Sequence, residues 1–274
     1  MDHLYIPSRD GTRLHLVRWT PEGESRGHVI LCHGLAEHMG RYSHVAERLV
    51  KDGWQVSGIE LRGHGDSEGK RGHVNRWSEY IDDLKAAAET VNGPHFLLGH
   101  SMGGAVILDA LRTEWPWPLR GILLSNPALG FAVEAPAWKI KLAGFLSRVF
   151  PTLSLGNEID TQYLSRDTTV VEAYRKDPRV FKTITPRWYT EALAAITRIM
   201  AYAPSYKLPA FFLTSTADHL CDHTATVAFI GRYGEMADHT CYGALYHELF
   251  NEPEKERILD DVCAWLAKHQ TETP

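Results

Sequence analysis

The 274-residue chain has no block of consecutive basic residues and carries a formal charge of −5, so the electrostatic footprint of a nucleic-acid binder is missing. Its four cysteines, Cys32, Cys221, Cys241 and Cys263, are too few and too scattered for a disulfide framework, and none sits in a Cys-X-X-Cys pair that would suggest zinc. Reduced thiols are expected. No run approaches the roughly 20 apolar residues of a membrane-spanning helix. The start, Met1-Asp2-His3-Leu4-Tyr5-Ile6-Pro7, lacks the basic and apolar stretches of a secretory signal, which makes a cytoplasmic location the expectation. The nearest approach to a metalloprotease helix, His247-Glu248, has Asn251 where a second ligand would stand, so no metal is expected. Repeats and low-complexity tracts are also lacking.

What is present is an ordinary globular composition, 44% hydrophobic and 23% charged, ample for a large core. Two short strands, Leu4 to Pro7 and Arg13 to Thr20, flank a good hairpin turn at Asp10-Gly11. Short apolar runs then alternate with amphipathic ones: strand His28 to Cys32, helix Arg41 to Asp52, strand Gln55 to Ile59, helix Ser78 to Val91. The alternation continues with strand His95 to Leu98, helix Gly104 to Arg112 and strand Gly121 to Ser125. It predicts parallel strands joined by crossover helices.

Between about Ala128 and Lys207 the rhythm breaks into helical patterns with prolines and large apolar residues, and no strand is predicted there. Alternation resumes with strand Ala210 to Ser215, helix Thr224 to Arg232, strand His239 to Tyr242 and helix Pro253 to Lys268. The division expected is a core of residues 1–127 and 208–274, with 128–207 as a helical insertion.

Gly99-His100-Ser101-Met102-Gly103 fits Gly-X-Ser-X-Gly, in which a serine sits on a tight strand-to-helix turn with its hydroxyl exposed. Chance produces the bare pattern in roughly one chain of this length in ten. The strand Phe96-Leu97-Leu98 before it and the helical run from Gly104 after it supply the context the mechanism requires. Without them it would be a glycine-rich turn with an idle serine.

A serine hydroxyl needs an imidazole to take its proton, and the imidazole needs a carboxylate to orient it. In this arrangement the chain order is serine, acid, histidine. Asp218 follows strand Ala210 to Ser215 and His247 follows strand His239 to Tyr242, both at carboxyl ends where open α/β sheets place their sites. Asp222 is the rival acid; His219, His223 and His239 are rival bases, with solvated loop positions as their plain reading. Backbone N–H groups must meet the developing oxyanion, and Met102 and, in His33-Gly34-Leu35-Ala36-Glu37-His38, Leu35 are the candidates. Cys221, three residues past the acid, is a candidate for the pocket wall, the alternative being a buried inert thiol.

With these residues in place the chain resembles the monoacylglycerol lipase and lysophospholipase family of α/β-hydrolases. The likeness is carried by His33 to His38 with Arg41-Tyr42, Leu61-Arg62-Gly63-His64-Gly65-Asp66-Ser67-Glu68-Gly69, and Gly99 to Gly104. Asp218-His219-Leu220-Cys221-Asp222 and Tyr246-His247-Glu248-Leu249 with Asn251-Glu252 complete it. Leu35 stands where a small residue is commoner, and Glu60 where aspartate often precedes the second signature. In the inserted segment the likeness is looser, in Tyr163-Leu164-Ser165-Arg166-Asp167 and Asp177-Pro178.

The resemblance implies an α/β-hydrolase fold with a mostly parallel eight-stranded sheet and a helical cap between core strands 6 and 7. It also implies cofactor-free hydrolysis of a single-chain lipid ester. Monoacylglycerol is the expected substrate, with lysophospholipids, short-chain esters, thioesters and peptides with a small N-terminal residue as alternatives. A non-catalytic lipid carrier on the same fold is the alternative of a different class. The stretch with Trp138, Ile140, Leu142, Phe145, Leu146 and Val149 is expected to roof one apolar tunnel and to offer a transient contact with a membrane surface.

Overall fold

The computed structural model describes residues 1–133 and 135–270. An antiparallel pair, β1 (Asp2–Pro7) and β2 (Arg13–Trp19), opens the chain. It turns through Gly11 at φ +85°, a conformation glycine adopts without a Cβ penalty. Alternation follows: β3 (His28–Cys32), α1 (Ser43–Lys51), β4 (Gln55–Ile59), α2 (Ser78–Glu89), β5 (His95–His100), α3 (Met102–Ala110) and β6 (Leu119–Ser125). Next come α4 (Ala137–Val149), β7 (Leu155–Gly156), α5 (Thr168–Lys176), β8 (Thr183–Ile184) and α6 (Pro186–Tyr202). The chain closes with β9 (Ala210–Thr214), α7 (His223–Tyr233), β10 (Ala237–Cys241) and α8 (Lys255–Lys268).

Eight strands form one sheet in the order β1-β2-β4-β3-β5-β6-β9-β10. Only β1 with β2 and β2 with β4 pair antiparallel; the other pairings are parallel, as the alternation predicts. Side chains leave the strands alternately to two buried faces. Val29, Leu31, Leu123, Phe211 and Leu213 pack with α1 and α8, while Ile30, Cys32, Ile122, Leu124 and Phe212 pack with α2, α3 and α7.

The register positions the site. Cys32 pairs with Ile59 and Gly99, His100 with Ser125, Ser125 with Leu213, and Thr214 with Cys241. The loops after β3, β5, β6, β9 and β10 therefore leave the same edge of the sheet. Because β3 lies between β4 and β5, the winding reverses there and a crevice opens above the strand ends.

The segment between β6 and β9 departs from its sequence reading in one respect. β7 and β8 form a two-stranded antiparallel ribbon, Leu155 with Ile184 and Gly156 with Thr183, where no strand was predicted. With two residues per strand, no period-2 alternation exists to be read. α6 starts at Pro186 in its first turn, with Thr185 accepting from the Trp188 N–H (3.2 Å) as N-cap. Its apolar stripe, Trp188, Ala192, Ala195 and Ile199, is buried in the same core as α3. α4 behaves differently: it lies against α6 and leaves Trp138, Ile140, Leu142, Phe145 and Val149 exposed.

Candidate active site

β5 runs on through Gly99 to His100 and α3 begins at Met102, so Ser101 alone makes the turn, at φ +51° and ψ −117°. A non-glycine residue in that region costs on the order of 1–3 kcal/mol and persists only where its surroundings enforce it. Here they do. The Ser101 N–H donates to the Ser125 carbonyl (3.0 Å), and the Ser101 carbonyl accepts from Ala105 (3.3 Å) and Ala128 (3.0 Å). The flanking glycines let the chains close: a Cβ on Gly103 would lie 2.2 Å from the Cys32 carbonyl oxygen, and one on Gly99 2.7 Å from the Gly104 nitrogen.

His247 Nδ1 lies 2.8 Å from Asp218 Oδ2, with both side chains almost wholly buried. Asp218 Oδ1 accepts from the N–H groups of Leu220 (2.8 Å) and Cys221 (3.0 Å). Burial opposes the charge on Asp218, but His247 and these two N–H groups outweigh it and hold the carboxyl below its ordinary range. Burial likewise opposes protonation of His247, and Asp218 overrides it, raising the imidazole above its ordinary value. An ionised carboxylate can only accept, so Nδ1 carries the hydrogen and Nε2 presents its lone pair.

Two of the four rivals hold other partners. Asp222 caps α7, accepting from Ala225 N–H (3.1 Å), and His239 meets Thr214 Oγ1 (2.8 Å). His223 opens α7 as its first residue. His219 stacks on Tyr163 with ring centroids 4.0 Å apart and lines the cavity described below. His100, 4.7 Å from the His247 ring by centroids, is brought down to about 4 by burial and by His247, and so stays neutral when His247 takes a proton.

The loop after β3 turns at Ala36, φ +66°, against Ser101: a Cβ on Gly34 would lie 3.3 Å from Ser101 Cβ. Leu61 N–H donates to His33 Nε2 (3.2 Å), which leaves His33 Nδ1 to donate to the Gly34 carbonyl (2.7 Å). Burial favours this neutral ring. Leu35 and Met102 both line the cavity, and Met102, as the first residue of α3, has an N–H with no intrahelical acceptor.

Beneath this loop lies a charge network to which no role was assigned from sequence. Glu37 accepts from Gly34 N–H (2.6 Å), Tyr42 Oη (2.7 Å) and Arg41 Nη1 (2.6 Å). Arg41 also forks onto both oxygens of Glu248, at 2.6 and 2.5 Å. Burial opposes the charge on Glu37, yet Arg41 brings its pKa down to about 2. The fork ties the loop after β3 to the residue that follows His247. A signal was legible, since all three residues lie within the quoted stretches, but their pairing across 207 positions was not.

The cavity above Ser101 has a volume of about 680 Å³. Phe131, Trp138, Leu142, Leu146, Trp188 and Tyr189 form much of its apolar wall. Of the residues expected to roof it, Trp138, Leu142 and Leu146 do; Ile140, Phe145 and Val149 point to solvent instead. Cys221 lies on the wall with its Sγ 3.9 Å from Ser101 Oγ, and burial pushes its thiol well up. Asp218, Cys221 and His247 present potential metal ligands within 4.8 Å. The carboxylate and Nδ1 are already committed to each other and the thiol resists deprotonation, so the trio suits proton transfer better than a cation.

The fold is that of an α/β-hydrolase. The family model described as serine aminopeptidase, S33, matches residues 23–254. A monoacylglycerol lipase of Mycolicibacterium smegmatis is 35% identical over 94% of each chain. Phospholipase YtpA of Bacillus subtilis is 31% identical over 88% of this chain and 95% of its own. The crystal structure of the monoacylglycerol lipase of Paleococcus ferrophilus superposes with a TM-score of 0.86 at 30% identity, covering 93% of this chain and 99% of that one. The chain belongs to the serine aminopeptidase S33 family and is a serine ester hydrolase.

The site of Cys221 gives a prediction. Its high pKa keeps thiolate scarce at neutral pH, so a bulky maleimide should inhibit slowly, faster as pH rises, and Cys221→Ala should abolish the inhibition. Equal sensitivity in Cys221→Ala would move the reactive thiol elsewhere, first to the exposed Cys241.

Proposed function

We propose that the protein hydrolyses monoacylglycerols through Ser101, His247 and Asp218, the reading supported above all by the 2.8 Å His247–Asp218 contact beside a strained serine at the foot of an apolar cavity. Ser101 Oγ attacks the ester carbonyl carbon and passes its proton to His247 Nε2. The Leu35 and Met102 N–H groups meet the oxyanion. As the intermediate collapses, the C–O bond to glycerol breaks and His247 returns the proton to the departing oxygen, leaving an acyl-enzyme. Water then repeats the sequence, giving up a proton to His247, and the fatty acid leaves as Ser101 is reprotonated.

The choice of an ester with one chain rests on the cavity wall. Each buried methylene contributes about 0.8 kcal/mol, so efficiency should rise with chain length until the wall is covered. The buried carboxylates on the wall, Glu37 and Glu248, are both paired with the one guanidinium of Arg41. Among the described residues, an incoming peptide ammonium would find no free buried carboxylate there. Lysophospholipid is the second reading, favoured by Lys139 on the wall. Its ammonium, 3.3 Å from the exposed Glu158, could turn to a phosphate.

Residues 128–207 are read as a cap, inserted between the sixth and seventh strands of the sheet. α4 carries Lys139, Lys141 and Arg148 and no acidic residue. Trp138 and Leu142 are at once exposed and on the cavity wall. A lipid surface touching α4 would thus meet basic side chains around an apolar path to Ser101. No helix among the described residues is long and apolar enough to cross a membrane.

Ser101→Ala should abolish ester hydrolysis with the fold intact, and Asp218→Asn should lower turnover by up to about four orders of magnitude, far more than Asp222→Asn. The reverse ranking would reassign the acid. Rates on matched mono-, di- and triacylglycerols and lysophosphatidylcholine should favour the first; comparable rates on all three glycerides contradict the single-chain reading. In a flotation assay with vesicles containing phosphatidylglycerol, wild type should bind and Trp138→Ser/Phe145→Ser should not. Equal flotation of the two would remove α4 from the contact.

A further inference from the structure

The main chain of His247 is held from two sides, and only one belongs to the sheet. From the end of β6, Asn126, at φ +39°, donates its Nδ2 to the His247 carbonyl (2.8 Å) and accepts from Ser215 N–H (3.1 Å). On the other side, His247 N–H donates to the Tyr163 carbonyl (3.2 Å) and Glu248 N–H to the Leu164 carbonyl (2.8 Å). The loop bearing the imidazole therefore lies sandwiched between a sheet strand and a stretch of the inserted segment.

Glu252 fastens the two partners together. Its Oε1 accepts from the N–H of Tyr246 (2.9 Å), the residue before His247, and from the N–H of Arg166 (3.1 Å), while Oε2 takes Arg166 Nε (2.7 Å). Ser165 Oγ adds a bond to the Asn251 carbonyl (2.8 Å), and Arg166 also contacts Glu254. The Glu252 side chain has no exposed surface, whereas Arg166 remains about a third exposed, at 36%. A buried carboxylate is costly unless its lone pairs are used, and here three donors use them, one from Tyr246 nearby and two from Arg166, 86 positions away.

We propose that Glu252 is a positioning residue for His247, fixing residues 163–166 against the histidine loop so that the imidazole is set by the inserted segment as well as by the sheet. This rests on His247 being the general base. Glu252 touches no reacting atom; it acts through the backbone of Tyr246 and through residues 163–166. Its consequence is that movement of the inserted segment would be felt directly in catalysis and not only in substrate entry.

Glu252→Gln keeps an acceptor for the two N–H groups but sets an amide donor against Arg166 Nε. Around the His247 ring stand Asp218 and Cys221 from the loop after β9, His100 from β5, Glu37 from the loop after β3, and Glu248, with Arg41 between the two glutamates. None of these is altered. On p-nitrophenyl acetate, too short to sample the apolar wall, kcat should fall about ten- to a hundredfold with KM little changed. The acid limb of kcat/KM should move to lower pH, because a displaced ring loses part of what Asp218 gives it. Arg166→Met, at a position about a third exposed, should act in the same direction and serves as the test if Glu252→Gln fails to fold. Wild-type kcat and acid limb in the folded variants, or effects confined to melting temperature or KM, would overturn the proposal. His247→Ala is the control. If it stays active, the reading of His247 fails; if it is inactive while the folded Glu252 and Arg166 variants match wild type, only this inference fails.

Discussion

The structure turns on the conformation of one residue. Ser101 must leave β5 and enter α3 without an intervening loop, at a φ that side chains avoid. Everything around the elbow follows from holding that turn: glycines at 99, 103 and 104 where a Cβ would strike neighbouring atoms, a bond to Ser125 on β6, and Ala128 folded back onto the Ser101 carbonyl. The strain is small beside the roughly 5–15 kcal/mol stability of a typical domain. What it secures is a hydroxyl standing clear of the sheet, at the edge where the other loops converge.

Electrostatics then divides the labour among buried groups of similar kind. Two histidines lie almost in contact at the site, yet only His247 has a carboxylate on its ring, so burial leaves His100 neutral while His247 is tuned upward. Of the nearby acids, Asp218 is bonded to the imidazole, while Glu37 and Glu248 share the single cation of Arg41. The cavity wall is left largely apolar away from Ser101 and His247, consistent with the proposed neutral ester that carries a hydrocarbon chain.

Sequence made most of this legible where chemistry is local. Ser101 was readable because strand, turn and helix adjoin it, and Asp218 and His247 because each follows a recognisable strand. The β7–β8 ribbon was not, since two-residue strands carry no periodicity. Asn126, Arg166 and Glu252 were not assigned roles either: Asn126 meets the His247 carbonyl 121 positions away and Arg166 meets Glu252 86 positions away, and although Glu252 lies only six positions from Tyr246, nothing local to it points to Arg166. α4 was half legible: its apolar residues were read as a roof, but a 13-residue helix has two sides, and only contact with α6 decides which one faces the cavity.

Labelling with a fluorophosphonate as pH is varied tests the central claim most directly, because the proposed reaction needs both the Ser101 hydroxyl and an unprotonated His247. The account predicts one adduct, on the peptide containing Ser101, abolished in His247→Ala. Its rate should fall as pH drops through a midpoint above 6.5, the ordinary imidazole value, since Asp218 raises the pKa and the neutral base is lost sooner. An adduct on another residue, undiminished labelling of His247→Ala, or a midpoint at or below 6.5 would contradict it.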